Sequence, residues 1–488
     1  AKLHALSHLT PTPPMSVSTS STPIWSVSAS PASAVSRLGG TAQYGELELK
    51  FIDFQGVPAP AAPSEICDAG IEPIQFEQLA IKLANLQSSF TTEWITRRMG
   101  LPLHLVQELC SHLRQEKHVE VLGEVGPFNY RYAITQRGRD TAGRLMEISG
   151  YTGPAPVSLQ HYTQMLAAQA ALWPEVSLAD ATQALSEMVL TREAVEIATV
   201  AAASGRGLFV FGPAGNGKTS LGRALQRVMR GPLWIPHAIS IDNAVIRVFD
   251  SQMHHRHRGY ENEGRIDQRW VCVERPFIIT GGEMTLDDVD LAFQPALRCY
   301  EAPAHVKANG GVFMIDDFGR QRVDPKALLN RWIVPLEERI DFLTLASGQK
   351  IRMPFQLLLI IATNLTPLEV ADPAFLRRMG YRLRIESPTA EAYRRIFERY
   401  STHKQIEIEP GLLDHILERY ADEDRPFRGC EPRDLVERSL DVIRVRSAPR
   451  RLTREVLDMA WLGYFGGIHD LTAGADTILR SGNGGSAR

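Results

Sequence analysis

The chain has 488 residues with 53 basic and 56 acidic side chains, a formal net charge of −3. At roughly 100–200 residues per domain this length implies two to four domains, and a 44% hydrophobic content excludes wholesale disorder. Near-neutral charge argues against a histone-like coating protein, and the longest apolar run, Leu357 to Ala362, falls far short of the about 20 residues a membrane span needs. Five scattered cysteines, Cys67, Cys110, Cys272, Cys299 and Cys430, form no CxxC. They read as reduced thiols of a cytoplasmic protein, not as a disulfide framework or a zinc site.

Residues 1–44 are rich in Ser, Thr, Ala and Pro, lack acidic residues and read as a disordered tail. Transit peptides share this composition, but here only Lys2 and Arg37 are basic. Residues 45–72 read as one short strand, Gly45 to Phe54, and a Pro/Ala linker, Gly56 to Pro63. In 73–150, Phe76, Leu79, Ala80 and Leu83 have helical spacing. Thr91 or Thr92 can cap a second helix carrying Trp94, Ile95 and Met99, and Gly100-Leu101-Pro102 makes a turn. A third helix carries Leu105, Val106, Leu109 and Leu113, and the runs Val119–Leu122 and Tyr130–Ile134 suit a hairpin. Ending in YRYAITQRGR, this block resembles the winged helix-turn-helix modules of bacterial regulators, which place the third helix in a DNA major groove. Its nine Lys/Arg and eight Asp/Glu make a poor phosphate-binding face. Protein docking and DNA binding both remain open. Residues 151–190 read as linker and helices: Gly153–Pro156 separates the module from the rest of the chain, and a helical segment covers about 158–187.

The run Leu208-Phe209-Val210-Phe211 is a buried strand, followed at once by Gly212-Pro213-Ala214-Gly215-Asn216-Gly217-Lys218-Thr219 and then Ser220. This GxxxxGK[ST] pattern lets backbone N–H groups cradle phosphates at a helix N-terminus. Lys218 would reach the β- and γ-phosphates of ATP, and Thr219 would ligate Mg²⁺. A second apolar strand, Val312–Ile315, ends in Asp316-Asp317; Asp316 suits a Walker-B role on Mg²⁺. A third, Leu357–Thr363, ends in Asn364. Then come DPAFLRRMGYRLRIESP (372–388) and CEPRDL (430–435).

In that order these motifs resemble AAA+ ATPases: an α/β P-loop domain over 191–388, whose parallel sheet is sandwiched by helices, and an α-helical lid over 389–468. The resemblance implies that Asn364 orients the attacking water or the γ-phosphate. Either Arg377 or Arg378 would be a finger reaching a neighbour's ATP, and Arg433 a second sensor in the lid. It places Asp317 where many relatives carry the Glu that polarises water. It also implies a homo-oligomeric ring, with a hexamer as one arrangement. VKANGGVFMIDDFGRQRVDPKALLNRWIVPLEER is similar to AAA+ proteins with an insertion before the Walker-B strand, and 73–465 to a group of bacterial ATPases described as chaperone-like. The lid pattern is carried by Tyr393, Phe397, Leu413, Ile416, Leu435 and Leu440, with Thr453 capping a last helix. Residues 469–488 read as a flexible tail.

About 95 residues separate the P-loop from Asp316, more than one strand–helix unit needs. The excess includes SQMHHRHRGYENEGR. His254, His255 and His257 lack the carboxylate or Cys partners of a metal site. A mobile loop is expected, with Tyr260 or Phe249 gripping substrate. The resulting expectation is a cytoplasmic ATPase that uses Mg²⁺ and ATP to remodel a protein client. The alternatives are an ATP-dependent DNA-binding switch and a slow, nucleotide-dependent scaffold.

Overall fold

The computed structural model describes residues 48–173, 176–259 and 264–466. The expected tails at 1–44 and 469–488, and Tyr260, lie outside the described residues. The chain enters through a hairpin, β1 (Phe51–Phe54) and β2 (Val57–Pro60), in register from Phe51↔Pro60 to Phe54↔Val57. Its turn residues Gln55 and Gly56 both have positive φ, 55° and 79°, the geometry that a two-residue turn between twisted strands favours. The segment expected as a Pro/Ala linker therefore contains a strand. It continues into Ala61, which bridges to Ile266.

Three helices follow: α1 (Pro73–Ala84), α2 (Thr92–Met99) and α3 (Leu103–Gln115). The Thr91 hydroxyl accepts from Trp94 N–H at 3.2 Å and caps α2. Gly100 ends α2 in the left-handed region at φ 68°. Strands β3 (Val119–Gly126) and β4 (Asn129–Ile134) pair antiparallel, and Phe90–Thr91 adds to the far side of β4. Helix α4 (Gln136–Ile148) closes the unit, capped by Thr135. Phe76, Leu83, Ile95, Val106 and Leu113 are fully buried between these elements.

Gly153–Pro156 is not a free linker. Ala155 is fully buried, and its N–H donates to Met99 O at 2.8 Å. Tyr151 Oη donates to Pro154 O at 2.7 Å. The core of the helical unit runs on into Ala238 and Cys299 of the residues beyond it. Small apolar residues that look like a spacer are also what a close-packed seam accepts. At that seam Arg269 and Asp267, each 1% exposed, form a bidentate pair. Arg269 Nη1 also donates to Ala69 O (2.7 Å) and Pro156 O (3.3 Å). Arg269→Met should cost about 3–5 kcal/mol, because Asp267 is left buried and uncompensated. Thermal denaturation checks this: a melting temperature unchanged from wild type contradicts the seam's role.

The central sheet starts with β5 (Leu208–Phe211), followed by the P-loop and helix α5 (Lys218–Val228). Strands β6 (Pro232–Pro236) and β7 (Trp270–Glu274) form a separate antiparallel pair. Then come β8 (Phe277–Thr280), β9 (Val312–Ile315), β10 (Leu358–Thr363) and β11 (Tyr381–Arg384). The sheet order is β8-β9-β10-β5-β11, all parallel. β9 and β10 are buried along their whole length, as expected of strands covered on both faces.

Four strands between α5 and β9 and one from before α5 build a second, five-stranded sheet. Its order is Ala292–Gln294, Cys299–Glu301, Ala244–Arg247, Ala238–Ile241 and Val157–Ser158. The helical segment expected over 158–187 is two helices, Leu159–Ala171 and Leu178–Ala184. Buried Gln169 clamps the first to β6, accepting from Trp234 N–H (2.5 Å) and donating to Trp234 O (3.0 Å). The insertion is thus a folded sheet, and 250–259 does not project from it freely. Asp250 N–H donates to His254 Nδ1 (3.0 Å), and buried His254 places Nε2 2.8 Å from Lys307 O, so the ring carries its proton on Nε2. His257 N–H and Glu274 N–H donate to Cys272 O and His255 O. Phe249 packs between the rings of His237 and His254, at 5.1 and 5.8 Å, and does not reach out as a gripping residue.

Four helices end the described chain: α6 (Ala390–His403), α7 (Leu412–Asp422), α8 (Glu431–Arg446) and α9 (454–466). Tyr393, Tyr420 and Trp461 are buried between them. Burial pushes the Tyr393 and Tyr420 hydroxyls well above the ordinary range. Tyr420 Oη donates to Glu431 at 2.6 Å. No helix among the described residues is long and apolar enough to cross a membrane.

Candidate nucleotide site

The carboxyl ends of β5, β9 and β10 lie side by side, with Ile315 beside Ile361 and Thr363 beside Phe211. Parallel α/β sheets bind ligands in the crevice beyond this edge. Three P-loop glycines have positive φ: Gly212 138°, Gly215 81° and Gly217 87°. A side-chain carbon on Gly212 would stand 2.0 Å from Ile385 O, so no other residue fits there. Pro213, Ala214 and Gly215 form the exposed crest of the loop, Gly217 caps α5, and Ser220 is exposed on its first turn. Free N–H groups of that turn and the helix dipole favour an anion.

Lys218 is buried, and its ammonium uses all three donors, to Gly212 O (2.9 Å), Pro213 O (3.0 Å) and Asn364 Oδ1 (2.5 Å). Burial lowers its pKa from the usual lysine value, against the raising fields of Asp316 and Asp317. A cation held in this way is stabilised by an incoming phosphate. Thr219 Oγ1 donates to Asp316 Oδ2 at 2.5 Å. These two hard oxygen donors fit Mg²⁺, which is held by few protein ligands together with substrate phosphates. Asp317 is exposed, with a left-handed backbone at φ 48°. This kink lets Phe318 turn back into the core, its N–H donating to Ala362 O at 2.8 Å. It leaves the Asp317 carboxylate accepting from Asn364 Nδ2 at 3.2 Å. Strain of this kind is retained where the surrounding structure over-determines it. Lys218, Thr219, Asp316, Asp317 and Asn364 therefore meet at one place.

The arginines divide. Arg378 pairs with Glu337 at 2.6 Å within its own chain. Arg377 is exposed and makes no ion pair among the described residues. Arg433 does not turn toward the P-loop: Nε and Nη2 fork onto Asp434 Oδ1 at 3.0 and 2.9 Å, with the side chain 60% exposed. That hydrogen bond raises its pKa further.

Several residues that sequence reasoning missed border the site. A side-chain carbon on Gly215 would lie 2.7 Å from Cys430 Sγ and 3.7 Å from Arg428 Cβ. Gly429 N–H donates to Asn216 Oδ1 at 2.9 Å, so the turn before α8 rests on the P-loop. Arg428 is exposed there, and its guanidinium makes no hydrogen bond or ion pair among the described residues. Gln321 accepts from Gly319 N–H (2.7 Å) and donates toward the carbonyls of Gly281, Asp316 and Asp317 (3.4 Å each), holding the loop after β9. Glu283 folds back onto Gly281 N–H at 2.8 Å. No signal in the chain distinguishes Arg428 from the other arginines; only the approach of the bundle does. Among the described residues no His/Cys/Asp/Glu group suits a metal ion by itself.

A family model described as a domain of unknown function (DUF8689) matches residues 389–462, the helical bundle. No curated protein matches the chain. Among solved structures, the Holliday junction branch migration motor RuvB of Thermotoga maritima is 14% identical with a TM-score of 0.33, over 55% of this chain and 66% of that one. NtrX from Brucella abortus in complex with ADP is 15% identical with a TM-score of 0.36, over 66% of this chain and 64% of that one. The chain thus spans just under two thirds of each neighbour. At these TM-scores neither resemblance bears on the site, which stands on the geometry above.

Arg428 lies beside the crest of the P-loop, its Cβ 3.7 Å from where a side-chain carbon on Gly215 would stand. Arg428→Ala should weaken nucleotide affinity by about tenfold, the worth of one charge-assisted hydrogen bond. Arg433→Ala should change it less than twofold. Titration of both variants with a fluorescent ADP analogue checks this, and the reverse ranking would restore Arg433 as the nucleotide-facing residue.

Proposed function

We propose that the chain is an AAA+ ATPase that binds Mg·ATP between its parallel sheet and its helical bundle and couples hydrolysis to remodelling of a protein or complex. The observation that carries this reading is the meeting of Lys218, the Thr219–Asp316 pair, Asp317 and Asn364 beyond three adjacent parallel strands. Lys218 offsets the charge of the β- and γ-phosphates. Thr219 and Asp316 would hold Mg²⁺, which would supply Lewis-acid stabilisation of negative charge on the phosphates. Asp317 and Asn364 position the attacking water. Its oxygen bonds to the γ-phosphorus as the bond to the β–γ bridging oxygen breaks and Asp317 takes up the water's proton, releasing ADP and phosphate. Arg377, without an ion pair among the described residues, is the better candidate to reach a neighbouring subunit's γ-phosphate in a homo-oligomeric ring. Free cysteines throughout suit a cytoplasmic site of action.

We read the amino-terminal unit, three helices and a hairpin, as a winged helix whose surface favours a protein client over DNA. The β3–β4 hairpin exposes Val121, Leu122, Val125 and Phe128, the last 69% accessible, beside Glu120 and Glu124. Apolar and acidic groups are poor partners for a phosphate backbone. On α3, His104 Nε2 sits 3.0 Å from Ser64 O, and Gln107 donates to Phe128 O at 2.8 Å, so part of the helix face is already engaged. ATP turnover measured with and without duplex DNA, at several protein concentrations, tests the reading. The expected result is turnover that rises with protein concentration and is indifferent to DNA. Stimulation by duplex would favour the DNA switch, concentration-independent turnover would remove the trans finger, and binding without turnover would favour the scaffold.

A further inference from the structure

A second cleft, of about 320 Å³, opens on the β6–β7 pair, away from the P-loop residues described above. Trp270 and Cys272 line it from β7, and His237, Arg256, Arg258 and Gln268 from the segments around it. Its volume is near the lower end of the range for small-molecule sites.

The charge of the lining is one-sided. Arg258 makes no hydrogen bond or ion pair among the described residues, and Arg256 makes none beyond its stacking over the Phe249 ring, 5.2 Å from the centroid. That stacking holds the guanidinium in place without neutralising it. The one carboxylate in the lining, Asp267, is locked in its pair with Arg269. The Trp270 ring forms part of the wall and is buried, with its Nε1–H sealed from solvent. The polypeptide under the cleft is firm. His257 N–H donates to Cys272 O, Arg256 bridges to Val273, and Ala62 N–H donates to Arg265 O.

We propose that this cleft is a second anion site that takes the phosphoryl group of a small phosphorylated ligand. Two guanidinium forks offer more donors than the two oxygens of a carboxylate use, and suit the three terminal oxygens of a phosphate monoester. The chemistry is shared by free phosphate and by an organic monoester, and a comparison of the two tells the sources apart.

The test uses the full chain with saturating Mg·ADP, so that the P-loop does not bind the probe. Inorganic phosphate, ribose 5-phosphate and acetate are each titrated by calorimetry and by tryptophan fluorescence, since Trp234 and Trp270 line the cleft. Both phosphoryl probes should bind saturably at one site, the tighter one marking the source. Arg256→Ala/Arg258→Ala should weaken that binding at least about tenfold and leave ADP affinity within twofold. Unchanged ADP affinity also reports that the variant is folded. No saturable binding up to about 10 mM, equal affinity for acetate, or binding unaffected by the double substitution would each overturn the proposal.

Discussion

Lys218→Ala is expected to abolish measurable ATP turnover and to weaken ATP binding by about 10²-fold or more. The ammonium makes three hydrogen bonds in a buried setting, two to the P-loop's own carbonyls and one to Asn364. Hydrogen bonds from a charged donor are worth about 1.5–3 kcal/mol each, so exchanging even one or two for phosphate oxygens accounts for a loss of that size. Alanine removes the charge and also the tether that holds the loop in shape. Equilibrium binding of a fluorescent ATP analogue, with circular dichroism as a check on folding, separates loss of the site from loss of the fold. A folded variant that hydrolyses ATP at the wild-type rate would mean that the phosphates lie elsewhere.

Asp317→Asn is expected to leave ATP binding intact and to slow hydrolysis on the order of 10²-fold or more, the usual contribution of a positioned proton acceptor. The carboxylate is exposed, already bonded to Asn364 at 3.2 Å, and carried on a strained turn that aims it beyond the sheet edge. Asparagine keeps the size and tolerates the left-handed backbone, so the change tests charge and proton affinity, not shape. Asp316→Asn should act differently: it loses the carboxylate partner of Thr219, and its defect should ease at raised Mg²⁺. Single-turnover kinetics distinguish the two, since Asp317→Asn should trap bound ATP. Full turnover in Asp317→Asn would pass the water-positioning role to Asp316, because Glu283 is tied to its own loop.

The local elements of the site were legible in the sequence because each is contiguous. Leu208–Phe211 is apolar enough to be a buried strand, the glycines just after it supply the positive φ values, and Lys218 and Thr219 open the next helix. Val312–Ile315 and Leu358–Thr363 are likewise recognisable as buried strands ending in polar residues. Short-range sterics and burial suffice for such pieces.

What the tertiary structure decided are the choices among chemically equal residues. Arg428 and Arg433 lie five positions apart and look alike in the sequence. Gly429 meets Asn216 across 213 residues, and this contact puts Arg428 beside the P-loop while Arg433 turns to Asp434. Gly153–Pro156 has the composition of a spacer, yet it is buried because Ala155 meets Met99 and Arg269 reaches Pro156. His254, one of three histidines that looked like a loose polar run, is instead a buried core residue held by Asp250 and Lys307. By itself the sequence determined the three strands that carry the site and the glycine turn between Phe211 and Lys218, since those depend on neighbours along the chain. Which arginine lies beside the P-loop and whether a proline-rich segment packs into a seam depended on surfaces brought together from distant positions, whose packing no local pattern encodes.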